Sequence, residues 1–458
     1  MNSAHQIPEN NYSPTMLKSS ILVMLLISAI LIVMAPDNLS ARDSLNVSER
    51  DSVRVIKFQS RKNIPQHILA LPSTIWTQLY KPLGEIVIWG ESNRIDRRVL
   101  NILMNEDRTA GIFPIASIGG KNNFSAGIAL FDNNLRNKEI SISGFGLYHN
   151  PDNIFVGAKY RMPVSNNSGS LGVSAILWSD DEEVVYGIGG NSSLVNDSLA
   201  YGIDDKYIEI DWTIKWEKES GRYVMTDYQR RRKRGRANHF TTKLFLRFSE
   251  VNIDEGLNRY PTVPTTILGY GNTTLFETGI QWTYDTRNHE FNPRMGNLLR
   301  LFTEYTRQMN GSEFRYLRYT VEYQKYIELF KKNRVFAFRV ILDGTARPKG
   351  KVIPFYRMSI LGSHDTLRGF KEGRFRDFGS LLANFEYRYP IWDSFDGVIF
   401  LDTGQVYKDL DDVKYSSLHT GYGAGVRLRL KNSFLARIQV GYSSEGHRTV
   451  AQFSQIFN

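Results

Sequence analysis

From Asn123 onward the chain alternates apolar and polar positions in segments of about ten residues, separated by clusters of Asn, Gly, Ser, Asp and Pro. In the stretch 207–217, Ile208, Ile210, Trp212, Ile214 and Trp216 fall on one side. Glu209, Asp211, Thr213, Lys215 and Glu217 fall on the other. Successive side chains of a strand face opposite ways, so this spacing predicts a strand with one apolar and one charged face. The same alternation recurs at Ile154 to Met162, Leu317 to Gln324, Leu381 to Tyr389 and Phe434 to Tyr442.

The pattern predicts sixteen strands, near 123–131, 138–148, 153–163, 169–178, 205–217, 221–230, 239–249, 277–285, 297–307, 314–327, 333–342, 379–389, 396–405, 420–430, 433–443 and 449–457. Soluble sandwiches also alternate. These strands are long against the usual ~5–6 residues. Their polar faces carry charges of both signs, as a wet lumen would, and their apolar faces end in Tyr and Trp. Those features suit an all-β fold, a transmembrane antiparallel β-barrel with an aromatic girdle at each interface.

Ahead of this region stands one continuous apolar run, Ile21 to Val33, after Lys18 and before Met34-Ala35. Its length fits a signal-peptide core better than a membrane span, so 1–35 is expected to be a signal peptide, starting at Met1 or Met16. Residues 36–110 are expected to be a periplasmic segment or linker. Ile75, Trp76, Leu79 and Tyr80 lie there at helix-like spacing. Residues 111–458 are left for the barrel.

Composition narrows the picture further. The chain has 458 residues with 24 Tyr, 26 Phe, 7 Trp and 36 Gly, too aromatic for a disordered protein. A single apolar run excludes a helical membrane bundle. Cysteine is absent, which removes disulfides, Cys-ligated metals and thiol nucleophiles. The net charge of +10 is spread along the chain and selects no partner by itself.

Two motifs stand in the last third. A long connection after the strand near 333–342 holds Leu367-Arg368-Gly369-Phe370, and the strand near 396–405 carries Phe400-Leu401-Asp402-Thr403-Gly404. In this order, with one strand between them, they resemble the BamA/TamA-type outer-membrane proteins, the bacterial surface antigen family. Supporting pieces are Tyr186 to Gly190, Asp285-Thr286-Arg287-Asn288 before Pro293 and Gly296, Glu386-Tyr387-Arg388-Tyr389-Pro390, and Gly423 to Arg427. The resemblance implies a sixth extracellular loop folded into the lumen, with Arg368 meeting Asp402. A sixteen-stranded lumen is an open channel unless something fills it, and a guanidinium grips a carboxylate with several donors.

The resemblance also implies assembly or insertion of outer-membrane proteins, or translocation of polypeptide or lipid. A seam would join the strands near Asn123–Asp132 and Val450–Phe457. The implied partners are outer-membrane lipid and lipopolysaccharide, unfolded outer-membrane or secreted clients, and a periplasmic subunit docked on 36–110. Tandem POTRA modules are not evident in the sequence. Asn288 stands where an acid is common, and the last residues are Phe457-Asn458. Two other classes stay open: a passive pore or transporter, and a surface barrel that displays loops such as Glu250–Thr274.

No catalytic constellation is visible, so an enzyme is not expected. The eight His are scattered without metal-ligand spacing, and neither a Gly-x-Ser-x-Gly element nor a P-loop occurs, so no metal or cofactor is expected. Glu209, Asp211 and Glu386 read as a polar wall. The basic run Arg230 to Arg236 reads as a solvated periplasmic turn, with no nucleic-acid partner.

Overall fold

Sixteen strands join edge to edge into a closed antiparallel ring in the computed structural model. It describes residues 103–452 apart from short stretches at 108, 119–123, 137, 151–152, 165–168, 191–197, 217–238, 257–260, 290–291, 330–333, 393–394 and 431–432. The expected signal peptide, the helix near 72–80, the strand at 221–230, the basic run at 230–236 and the last six residues lie outside the described residues.

The ring begins with β1 (Ala110–Ile118), β2 (Phe124–Leu135), β3 (Ile140–Asn150), β4 (Asn153–Val164), β5 (Gly169–Val185) and β6 (Leu199–Lys215). It continues through β7 (His239–Asp254), β8 (Gly271–Asp285), β9 (Gly296–Gln308), β10 (Arg315–Glu328) and β11 (Val335–Ala346). A short hairpin, β12 (Ser359–Leu361) with β13 (Phe375–Asp377), interrupts the sequence but stands outside the ring. The wall resumes with β14 (Gly379–Trp392), β15 (Phe395–Tyr407), β16 (His419–Leu430), β17 (Ser433–Ser443) and β18 (Gly446–Gln452).

The alternation in the sequence becomes an inversion of the usual polarity. On β6, Ile208 and Ile210 are 56% and 52% exposed, whereas Glu209 and Asp211 are 6% and 1% exposed. Leu317, Val321 and Tyr323 of β10 face out, and Arg318, Glu322 and Gln324 are buried inside. Water-soluble sheets bury apolar side chains and leave charges outside, so this arrangement suits a wall with hydrocarbon outside and polar groups within. Trp212, Trp216, Tyr148, Tyr160, Trp282 and Tyr422 stand on the outer surface as the girdle requires.

The ring differs from the sequence reading at two places. Its first strand is β1, ahead of the segment near Asn123, and β1 rather than β2 pairs with the last strand. The seam is therefore β1 with β18, not the strand at 123–132 with 450–457. β6 and β7 pair directly from Gly202–Asp254 to Lys215–Thr241, with no strand between them in the ring. With β1 included, the ring has sixteen strands.

β5, β6 and β7 run to 17, 17 and 16 residues, well beyond the ~9–11 a tilted strand needs to span a bilayer. At the end where β5 meets β6, their inward residues Val185, Tyr201, Ile203, Val251 and Ile253 form an apolar core. Ile353, Phe355 and Met358 from the β11–β14 connection complete it. This connection, residues 347–378, thus turns back into the lumen, and the β12–β13 hairpin is its stem.

Candidate functional site

The tip of the inward loop lies between β12 and β13. Leu367 and Phe370 are buried there with Leu361 and Phe375 of the stem and with Leu382 and Val406 of the wall. This apolar contact seats the tip and presents Arg368 to the inner faces of β14 and β15.

Arg368 makes the densest set of bonds. Its Nε donates to Asp402 Oδ2 at 2.7 Å and its Nη2 to Oδ1 at 2.6 Å, a two-pronged grip on one carboxylate. Its Nη1 donates to Glu386 Oε1 at 2.7 Å, and its backbone N–H reaches Asp402 Oδ2 at 3.1 Å. The guanidinium lies 3.6 Å from the centre of the Phe400 ring, in cation–π range. Burial alone pulls its pKa down, but the charges of Asp402 and Glu386 outweigh that and raise it.

The carboxylates are themselves held. Asn384 Nδ2 donates to Asp402 Oδ1 at 2.8 Å and to the Thr366 carbonyl at 2.8 Å, and Arg388 Nε donates to Glu386 Oε2 at 2.8 Å. Glu386 reads in the sequence as part of a polar wall; in the fold it is the second acceptor for Arg368.

Close approach of the loop backbone needs a bare wall. Tyr422 faces out, so Gly421, Gly423 and Gly425 line the inner face of β16. A Cβ on Gly421 would overlap the Arg368 carbonyl, and one on Gly441 of β17 would stand 2.8 Å from the Gly369 N. Gly369 adopts a φ of +102°, which turns the chain beside Arg368, and its carbonyl accepts from Ser443 Oγ at 2.8 Å. Gly404 leaves room on β15 for Leu361 of the stem.

A second ion pair flanks the tip. Arg437 Nη2 donates to Asp365 Oδ1 at 2.6 Å, and His364 Nε2 lies 3.0 Å from Asp365 Oδ2. Burial opposes both charges. The neighbours win, so His364 is raised above its ordinary value by Asp365, and His364 and Arg437 hold the Asp365 carboxyl below its own.

Asp285 and Arg287 stand apart from this site. They pair with each other in the β8–β9 turn, Arg287 Nη2 to Asp285 Oδ2 at 2.7 Å. Asn288 Oδ1 accepts the backbone N–H groups of Arg294 and Met295 in the same turn, a task an acid there could also perform. Of the expected site residues, Arg368, Gly369, Phe370, Asp402, Gly404, Glu386 and Arg388 come together, and Asp285 and Arg287 serve the turn. Among the described residues no cluster has a metal-holding arrangement.

The Omp85 superfamily domain matches residues 119–455, most of the chain. The chain belongs to the Omp85 superfamily. Among solved structures, this Omp85 barrel is similar to BamA from Haemophilus ducreyi lacking POTRA domains 1-3. The identity is 14% and the TM-score 0.52, over 75% of this chain and 70% of that one. It is also similar to CdiB from Escherichia coli, at 13% identity and a TM-score of 0.48, over 75% of this chain and 62% of that one. For CdiB from Acinetobacter baumannii the values are 12% and 0.43, over 78% and 67%. No curated protein sequence matches the chain.

Proposed function

We propose that this Omp85 barrel sits in the outer membrane of a Gram-negative-type bacterium and helps other polypeptides into or across it through the β1–β18 seam. The observation that carries this reading is the closure itself. Among the described residues one registered pair, Ile118 opposite Ala451, joins β1 to β18. No chain connection links β1 to β18, whereas every other neighbouring pair in the ring is consecutive along the wall, so parting this pair breaks only ladder bonds of a net ~0.5–1.5 kcal/mol each.

The apolar outer surface fits outer-membrane lipid, including lipopolysaccharide, as the surroundings. The client is an unfolded outer-membrane or secreted polypeptide, and residues 36–110 are the segment that would dock a periplasmic subunit. The loop held by Arg368 turns into the lumen, which weighs against a passive pore.

The test uses Ile118→Cys with Ala451→Cys. Directly opposed residues of an antiparallel ladder have Cα atoms ~4.5–5.5 Å apart, within the ~4.4–6.8 Å reach of a disulfide. The protein is depleted in its host and the outer-membrane proteome quantified. Complementation uses the wild type, the cross-linkable pair, Arg368→Ala and Asp402→Ala. The expected result is loss of a defined set of other barrels, restored by wild type, withheld by the oxidised pair and returned on reduction. An outer-membrane proteome unchanged by depletion would transfer the reading to a pore or a display scaffold.

A further inference from the structure

The lumen holds a second cluster of buried charge, several strands away from Arg368. Arg357 lies at the base of the loop, just before β12. Its Nη1 donates to Asp205 Oδ2 of β6 at 3.0 Å, and its Nε lies 3.7 Å from Glu277 Oε1 of β8. Its carbonyl accepts from Arg318 of β10. Asp205, Glu277 and Arg318 are 1%, 1% and 2% exposed. β9, β10 and β11 separate β8 from β14 in the ring, so Arg357 and Arg368 grip different walls.

The base also has what the tip has least of, an extended apolar seat. Ile353, Phe355 and Met358 are buried among Val185, Tyr201, Ile203, Val251, Ile253, Val263 and Tyr316. The Phe355 N–H donates to the Leu268 carbonyl at 3.0 Å, and Arg376, returning on β13, donates to the Phe355 carbonyl at 3.0 Å. The tip by contrast rests on a smaller apolar cluster, the Arg368 bonds and the Arg437–Asp365 pair.

We propose that Arg357 is a second positioning residue, which fixes the base of the loop to β6 and β8 independently of Arg368. The loop is then a two-stage latch. Loss of the Arg368 bonds frees the tip while the base stays seated and keeps the β12–β13 stem aimed at Asp402. This follows from how the loop is held and does not depend on what the barrel carries.

The protein contains no cysteine, so a single introduced one is a unique reporter. Ser359→Cys reports the base and Ser363→Cys the tip, at positions 0% and 8% exposed. Each is made in the full chain in outer-membrane vesicles and labelled with a soluble maleimide. Arg368→Ala is expected to raise labelling of the tip by at least about tenfold and leave the base unchanged. Asp205→Asn, which keeps shape but removes charge, and Arg357→Ala are expected to raise labelling of the base by a similar factor. Arg357→Lys, which keeps the charge and loses the fork, is expected to fall between Arg357→Ala and wild type.

If Arg357→Ala yields no barrel, Asp205→Asn and Arg357→Lys decide. Arg368→Ala exposing base and tip alike would mean a single latch and overturn the proposal. So would wild-type labelling of the base in Asp205→Asn barrels that still resist unfolding in detergent. Neither outcome bears on seam opening, which the cross-linking experiment addresses by itself.

Discussion

Arg368 acts at the scale of one side chain meeting two carboxylates, and that geometry separates it from any other cation. A lysine ammonium is a point charge and cannot bridge Asp402 and Glu386 while holding both oxygens of Asp402. Removing the guanidinium takes away the two-pronged partner of the buried Asp402 carboxylate, while Glu386 keeps Arg388, at a cost of about 3–5 kcal/mol. Arg368→Ala is expected to lower the free energy of tip release, read from denaturant titration, by that order, with Arg368→Lys recovering only part. Gly369→Ala acts through the backbone instead. A side chain there must accept a φ of +102° and a contact of 2.8 Å with the Tyr442 backbone. The expected loss is about 1–3 kcal/mol, read as faster proteolysis of the loop in an otherwise folded barrel.

The tip also carries a pH dependence whose sign follows from His364 and Asp365. His364 is raised above its ordinary value of 6.5, so its contribution is complete below about pH 6.5 and is lost as pH rises through the raised value. Asp365 is lowered from 3.8, so its contribution is present above about pH 4 and is lost as pH falls through the lowered value. Asp365, Glu372 and Arg437 are the charged groups acting on His364. Protease protection of the loop is therefore expected to be greater near pH 6 than near pH 9. His364→Gln should remove that difference, and an unchanged difference would assign it elsewhere.

At the scale of elements, alternation made most strands legible because membrane and lumen demand opposite side chains at adjacent positions. β6, β10 and β14 match their sequence patterns for this reason. β1 escaped the reading because Ala110 to Ile118 carries no charged residue and contains Pro114, which ordinarily argues against a strand. Pro114 nonetheless stands opposite Ile128 in the β1–β2 ladder. Conversely, alternation predicts a strand between β6 and β7, which pair directly with each other. β1 and β18 meet with no chain connection between them, unlike every other neighbouring pair in the ring, and this predicts uneven protection. Amides of β1 and β18 are expected to exchange with solvent at least about tenfold faster than those of β5 and β6. Equal protection round the ring would remove the physical basis for a weak seam.

At the scale of the whole molecule, the sequence determined the class of wall, fifteen of its sixteen strands and the pairing of Arg368 with Asp402. The first two follow from local periodicity, which the solvent on each side imposes residue by residue. The third is what the resemblance to the BamA/TamA-type family implies. Glu386 was visible in a supporting motif, Glu386 to Pro390, but not as the second acceptor, because which wall residue a loop tip meets depends on how deeply the loop is seated. Arg357, Asp205 and Glu277 lie up to 152 residues apart in contact and follow no local pattern. The tertiary structure alone decided those contacts, the glycine-lined floor beneath the tip, and which strand closes the ring. Each depends on register accumulated round the barrel, and register is a property of the closed sheet rather than of any segment within it.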